Sequence, residues 1–244
     1  MSAAFLGYLA LALMAVAGTV WIRAMFTLRA EERRTPALLA AASAIACGLL
    51  AFSRGPGTAG GIAAGVAVAL GCVFVLSRLS GRQARRTPHV AVGGPILDFS
   101  ALDADGKPFA LSSLKGRPFL LKFFRGHWCP YCVAELRRWE ELRPELDARG
   151  IAIVTVSAET PEKLRAGRGK HGLAATLLAD PDLAVTKQYG LVNWKGLSPG
   201  GLAHLPIPTA ILVDAEGVVR WIDQAADYQV RSHPDRVLAA IRRL

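Results

Sequence analysis

Three long apolar runs crowd the first 80 residues, and no other feature restricts the fold as much. They lie at about 3–22, 37–53 and 58–77. A helix rises about 1.5 Å per residue and a bilayer core is about 30 Å thick, so a span needs about 20 residues. The first and third runs meet that length. The second is shorter but uncharged, and Pro36 stands at its start, where a helix tolerates proline. Three such runs so close together predict transmembrane helices rather than core helices of a globular domain. No positive charge precedes the first run and two more follow it, which argues against a cleaved signal peptide.

Charge placement predicts an orientation. Arg23, Arg29, Arg33 and Arg34 follow the first run, Arg54 alone follows the second, and Arg78, Arg82, Arg85 and Arg86 follow the third. Cytoplasmic loops collect arginine and lysine, so the N-terminus is expected outside and the C-terminal part in the cytoplasm. The same arginines account for most of the net charge of +10. Up to residue 90 there are nine arginines against only Glu31 and Glu32, and the rest of the chain is nearly balanced. The basic excess therefore belongs to membrane orientation, and no nucleic-acid partner is expected.

Within the third run, Gly57, Gly61 and Gly65 are spaced four apart. They read either as a face for close helix approach or as a glycine-rich entry to the helix. Cys47 and Cys72 fall about six residues from opposite ends of their spans. They then differ in depth by about 12 Å, too far for a disulfide.

The composition divides the chain into a membrane segment over 1–80, a basic linker over 81–94 and a globular domain over 95–244. In the last part, alternating strand and helix patterns predict a mixed α/β sheet. PILDFSAL and DADGKPFALSSL form a hairpin turning at Asp105-Gly106. FLLKFF (119–124) and IAIVTVS (151–157) are buried strands. Residues 130–149 have helical periodicity, with a kink at Pro144 and a stop at Gly150. Helices follow at 161–171, 183–189 and 234–243, and strands at 209–214 and 218–222.

The chemistry concentrates in FFRGHWCPYCVAEL, which runs from strand through turn into helix. Cys129 falls at the helix N-terminus, where free N–H groups and the helix dipole favour a thiolate. Cys132 is one turn further on, within disulfide reach. Pro130 suits the first helical position. Arg125 and His127 add positive or polarisable groups, though Arg125 also reads as a solvated surface residue. A zinc site would need a second ligand pair, which the sequence lacks. A structural disulfide fits a cytoplasmic domain poorly. Redox use of Cys129 and Cys132 is the remaining reading. No metal, flavin or nucleotide motif appears, so no cofactor is expected. His204 and His233 read as surface or loop residues, and Trp194 and Trp221 as packing or rim residues.

From residue 95 onward the sequence resembles the thioredoxin-fold redoxins, in particular the AhpC/TSA or peroxiredoxin-like group. The resemblance rests on FFRGHWCPYCVAEL, LADPDLAVTKQYGL, IPTAILVDAEGVVRW and ADYQVRSHPDRVL. It implies an α/β thioredoxin-like fold behind three transmembrane helices. It also implies a thiol oxidoreductase acting on a peroxide or a disulfide, with a thiol donor such as thioredoxin or glutathione. Against the thioredoxin pattern, Trp128, Cys129, Pro130 and Cys132 match W-C-x-x-C, and Ile207-Pro208-Thr209 matches the cis-proline segment. Against the peroxiredoxin pattern, Cys132 takes the peroxidatic position and Glu135 the glutamate three residues later. Cys129 then stands where that pattern has threonine, Arg125 where it has proline, and the pattern's activating arginine falls near Pro208. Asp227, Tyr228 and Arg231 resemble a further family signature without an evident role. The alternative to an enzyme is a redox sensor or membrane assembly factor.

Overall fold

The structure is a computed structural model and describes residues 1–83 and 86–244. Its contacts divide it into two compact units, Met1–Arg82 and Gln83–Leu244.

The N-terminal unit contains helices α1 (Ala3–Phe26), α2 (Ala30–Ser53) and α3 (Gly57–Leu79). Each is long and apolar enough to cross a membrane. At about 1.5 Å per residue, 24 residues reach about 36 Å. The packing is the reverse of a soluble core. Small residues fill the seam (Ala10, Ala17, Ala41, Ala44, Ala67), while Phe5, Leu39, Leu49, Ile62, Val73 and Leu76 face outward. Small side chains let helix backbones approach where lipid, not water, surrounds the bundle.

Two expectations change here. Helix α2 begins at Ala30, so Pro36 lies inside it rather than at its start. The preceding Glu31–Arg34 stretch is charged but a good helix former, and charge rather than helix propensity ended the apolar run. The close approaches use other glycines than the four-spaced set. A Cβ on Gly60 would meet the Ala4 backbone, on Gly48 it would lie 2.6 Å from Val68, and on Gly71 2.7 Å from Ile45. A Cβ on Gly61 would meet Pro56 and the Phe52 ring, and one on Gly65 the Phe52 ring, all at ordinary contact distance, and Gly57 opens the helix at φ +68°. Gly48→Leu is therefore expected to destabilise the bundle by about 1–3 kcal/mol, whereas Gly65→Ala is tolerated. Thermal unfolding of the detergent-solubilised chain would distinguish them.

The C-terminal unit is built on a seven-stranded sheet. Its strands are β1 (Ser100–Asp103), β2 (Pro108–Ala110), β3 (Phe119–Phe124), β4 (Ala152–Ser157), β5 (Thr176–Ala179), β8 (Thr209–Val213) and β9 (Val219–Gln224). The order across the sheet is β2-β1-β5-β4-β3-β8-β9. Strand β3 runs parallel to β4 and antiparallel to β8, and every residue of β3 is buried. Helices α4 (Pro130–Glu141), α5 (Arg143–Ala148), α6 (Pro161–His171), α7 (Ala184–Gln188) and α8 (Pro234–Ile241) complete the fold. This is the mixed, helix-flanked sheet of a thioredoxin-like domain. A separate hairpin joins β6 (Val192–Ser198) to β7 (Gly201–Pro206).

The core collects Phe99, Phe123, Val156, Leu178, Tyr189 and Ile211 with their neighbours. Tyr189 packs its ring 5.0 Å from Phe123 and donates its hydroxyl to the Leu97 carbonyl. Residues 130–149 form two helices, not one kinked helix. The break falls at Leu142, and Pro144 opens α5 near its start, where the missing N–H costs nothing. Strand β5 and the β6–β7 hairpin lay in stretches without a period-2 pattern. Ala84 and Arg85 of the basic 81–94 stretch lie outside the described residues. Further along that stretch, His89 N–H donates to the Tyr189 carbonyl, Gly93 N–H to Val219, and Val90 is buried.

Candidate active site

Strand β3 ends at Phe124 and the chain turns through residues 125–128 into α4. Gly126, at φ +151°, makes this turn. A Cβ there would lie 2.5 Å from the Trp128 indole nitrogen. Cys129 is the N-cap of α4, Pro130 is its first residue, and the Cys132 and Val133 N–H groups donate to the Cys129 carbonyl. Both cysteines are free thiols, 1% and 0% exposed. They hydrogen-bond each other.

The group that completes the site is Arg231. Its guanidinium Nη2 lies 3.4 Å from Cys132 Sγ and 3.8 Å from Cys129 Sγ, and its Nε lies 3.3 Å from Glu135 Oε2. Glu135, also fully buried, accepts from Lys122 Nζ at 2.7 Å and from the Ser232 N–H at 3.2 Å. Lys122 comes from β3 and Glu135 from α4. Arg231 comes from the segment before α8, which Asp227 stiffens by accepting from the Gln229 N–H at 2.8 Å. Three stretches of the chain thus meet in one buried cluster.

Electrostatics in such a cluster follow charge balance. Burying an unpaired charge is costly, so buried charges occur in compensated sets. Lys122 and Arg231 supply two cations and Glu135 one anion. A thiolate on Cys132 restores neutrality. Burial pushes the Cys132 thiol up, but the Cys129 hydrogen bond, the Arg231 charge and the Arg125 backbone N–H outweigh it, and the net direction is well below an ordinary thiol. The Cys129 thiol is raised by its hydrogen bond to Cys132, by burial and by the Cys132 charge. Arg231 stays protonated because the neighbouring sulfurs and Glu135 outweigh its burial. Burial raises Glu135, opposed by Lys122 and Arg231.

Arg125 is buried, not solvated. Its guanidinium lies 4.4 Å from the Tyr228 ring centroid and 5.1 Å from that of Trp128, and it donates to the Leu197 carbonyl. The flat cation is held between aromatic faces, a contact its surface-like sequence context does not announce. Trp128, next to Cys129 in the chain, is 37% exposed. His127 turns away from the sulfurs. Its Nδ1 lies 2.8 Å from Glu159 Oε2, and its ring stacks 5.9 Å from His171. Among the described residues no peptide bond is cis, so Ile207–Pro208 is trans, contrary to the thioredoxin pattern. Thr209 lies across from Phe123 and donates its hydroxyl to the Ile207 carbonyl. His233 caps α8, and Trp194 packs against His204 on the hairpin, 5.0 Å between rings. Among the described residues no group of three metal-ligating side chains occurs.

Sequence reasoning assigned no role to Arg231 and passed over Lys122. The signal for Lys122 was a lone lysine inside a six-residue apolar strand. Arg231 lay in a stretch that resembles a family signature, but its role was not evident, because its partners are about a hundred residues away.

Residues 92–222 match the AhpC/TSA family. Over 159 residues the chain is 29% identical to thiol-disulfide oxidoreductase ResA of Halalkalibacterium halodurans, covering 65% of this chain and 80% of that protein. Over 143 residues it is 29% identical to peroxiredoxin Bcp of Escherichia coli, covering 57% of this chain and 88% of that protein. The peroxidoxin BcpB of Mycobacterium tuberculosis shares the fold at TM-score 0.55 and 24% identity, over 64% of this chain and 99% of that one. With its family match extending over more than half its length, the chain belongs to the AhpC/TSA family of thioredoxin-fold redox proteins.

Proposed function

We propose that this protein is a membrane-anchored thiol peroxidase of the peroxiredoxin-like class, with Cys132 as nucleophile and Cys129 as resolving thiol. The observation that carries the reading is the Arg231 guanidinium 3.4 Å from Cys132 Sγ in a site closed to bulk water. It favours the thiolate, which is the reactive form. It also faces the negative charge that develops when a peroxide bond breaks.

The chemistry balances with a thiol donor. Cys132 thiolate attacks one oxygen of a hydroperoxide, and the O–O bond breaks. The leaving oxygen takes a proton and departs as alcohol or water, which leaves Cys132 as sulfenic acid. The Cys129 thiol attacks that sulfur, water leaves, and a Cys129–Cys132 disulfide forms. Two electrons from a thiol donor such as thioredoxin or glutathione restore the dithiol. Glu135 and Lys122 hold Arg231 and balance its charge, Pro130 starts α4, and Arg125 and Trp128 shape the mouth. Pro208 and Thr209, just before and at the start of β8, are the segment that the thioredoxin pattern sets facing the dithiol. The three apolar helices of residues 1–80 anchor the redoxin domain of 95–244 through the 81–94 stretch. Arginine placement supports a cytoplasmic side for that domain.

A second reading, thiol–disulfide exchange started by Cys129, is favoured by its N-cap position and by the ResA relative. The full chain in detergent separates the two. Hydroperoxide consumption is expected to fall at least about a thousandfold in Cys132→Ser. Cys129→Ser is expected to turn over once and stop. Rapid reduction of a protein disulfide that needs Cys129, with negligible peroxide turnover, would establish the second reading instead.

A further inference from the structure

The β6–β7 hairpin carries an apolar face that the dithiol chemistry does not use. Leu197 and Leu202 are directly paired across the hairpin, so their side chains share a face, and they are 59% and 74% exposed. His204 follows Leu202 by two residues and lies on the same face. The Trp194 ring packs on His204 and is 47% exposed. Leu205, on the alternate face, is buried and packs under Gly196. One side of the hairpin is thus core, and the other offers two leucines and a tryptophan to the surroundings.

Beside that face lies a cavity of about 380 Å³ lined by Arg86, Thr87, His89, Lys187, Gly190, Val192 and Trp194. Two cations line it and no acidic side chain does. Lys187 donates to the Asp182 backbone carbonyl, and among the described residues it forms no ion pair. Lys195 is a third exposed cation on the same hairpin. Trp194 belongs to both the cavity and the apolar face. A basic cavity bordered by tryptophan and then leucine matches the layering of a bilayer surface, with phosphate outermost, an interfacial aromatic next and hydrocarbon below.

We propose that this surface docks on an anionic bilayer. Arg86 and Lys187 bind lipid phosphate, Trp194 lies at the headgroup level, and Leu197 and Leu202 enter the acyl boundary. The inference rests on the membrane-anchor reading. Only residues 80–82 separate the end of α3 from Gln83, which is hydrogen-bonded into the C-terminal unit. The domain is therefore covalently kept where such a surface is available. Charge complementarity selects anionic lipid, since each cation near such a surface strengthens binding about fivefold.

The test uses the full chain in lipid nanodiscs of phosphatidylcholine alone or mixed with phosphatidylglycerol. Hydrogen exchange is followed in peptides covering residues 194–204. Exchange at least about fivefold slower in the anionic discs is expected, with the slowing lost in Arg86→Gln/Lys187→Gln. Equal exchange in the two discs would overturn the docking while leaving the anchor intact. The same slowing produced by inorganic phosphate in phosphatidylcholine discs would overturn it too, since it would assign the cavity to a free anion. Co-elution of chain and disc is read beforehand, and a chain that enters no disc sinks both the anchor and the docking.

Discussion

Replacing Arg231 with methionine is expected to slow reaction with hydroperoxide by about a hundredfold or more. The substitution keeps the bulk of the side chain and removes the guanidinium near both sulfurs. Two losses combine. The fraction of Cys132 present as thiolate at neutral pH falls, and the charge on the departing oxygen loses its partner. The pH dependence separates them. In the native chain, alkylation of Cys132 should persist well below the free-thiol pKa of about 8.5 and fade only as pH drops through the lowered value. In Arg231→Met the same profile moves to higher pH. Raising the pH then recovers the thiolate part of the loss and leaves the transition-state part. Arg231→Lys keeps a charge without the planar fork and should fall between the two. Stopped-flow peroxide kinetics with mass-spectrometric alkylation mapping would check each arm. A native rate in Arg231→Met would contradict the assignment.

The second large effect concerns stability. Glu135→Leu leaves Lys122 and Arg231 buried together without their shared anion. Removing one partner of a buried ion pair costs about 3–5 kcal/mol. Unfolding of the full chain by denaturant, followed by near-ultraviolet circular dichroism, should show a shift of that size. The double variant Lys122→Met/Glu135→Leu should recover much of it, because it removes the stranded charge and fills the space with apolar atoms. A single variant as stable as the native chain would mean that the cluster holds its charges in some other way.

The parts of this protein visible in its sequence are those set by local periodicity. The three apolar runs became helices because about twenty uninterrupted apolar residues have few alternatives. The strands FLLKFF and TAILV, with buried neighbours on both sides, announced the centre of the sheet. The Cys129–Cys132 pair was legible because strand, turn and helix N-terminus are contiguous in sequence. What was not legible is what depends on distant contacts. Arg231 reaches the sulfurs from about a hundred residues away, and the family-like stretch around it does not say what it touches. Arg125 was ambiguous for the same reason, since its burial depends on Tyr228. The β6–β7 hairpin escaped notice because its Trp, Lys, Gly and Leu do not alternate cleanly, and its register shifts between Asn193 and Gly196. The four-spaced glycines of α3 left two readings open. Their spacing was regular, but helix contact is made by Gly60 and Gly71, and only the partner helices decide which glycines those are.

The central claim is that Cys132 is the sulfur that attacks. The direct measurement adds one equivalent of hydroperoxide to reduced Cys129→Ser chain, traps sulfenic acid with a dimedone-type reagent, and maps the adduct by peptide mass spectrometry. The account predicts an adduct on Cys132 formed at the native rate. No adduct on Cys132, together with undiminished peroxide consumption by Cys132→Ser, would contradict it.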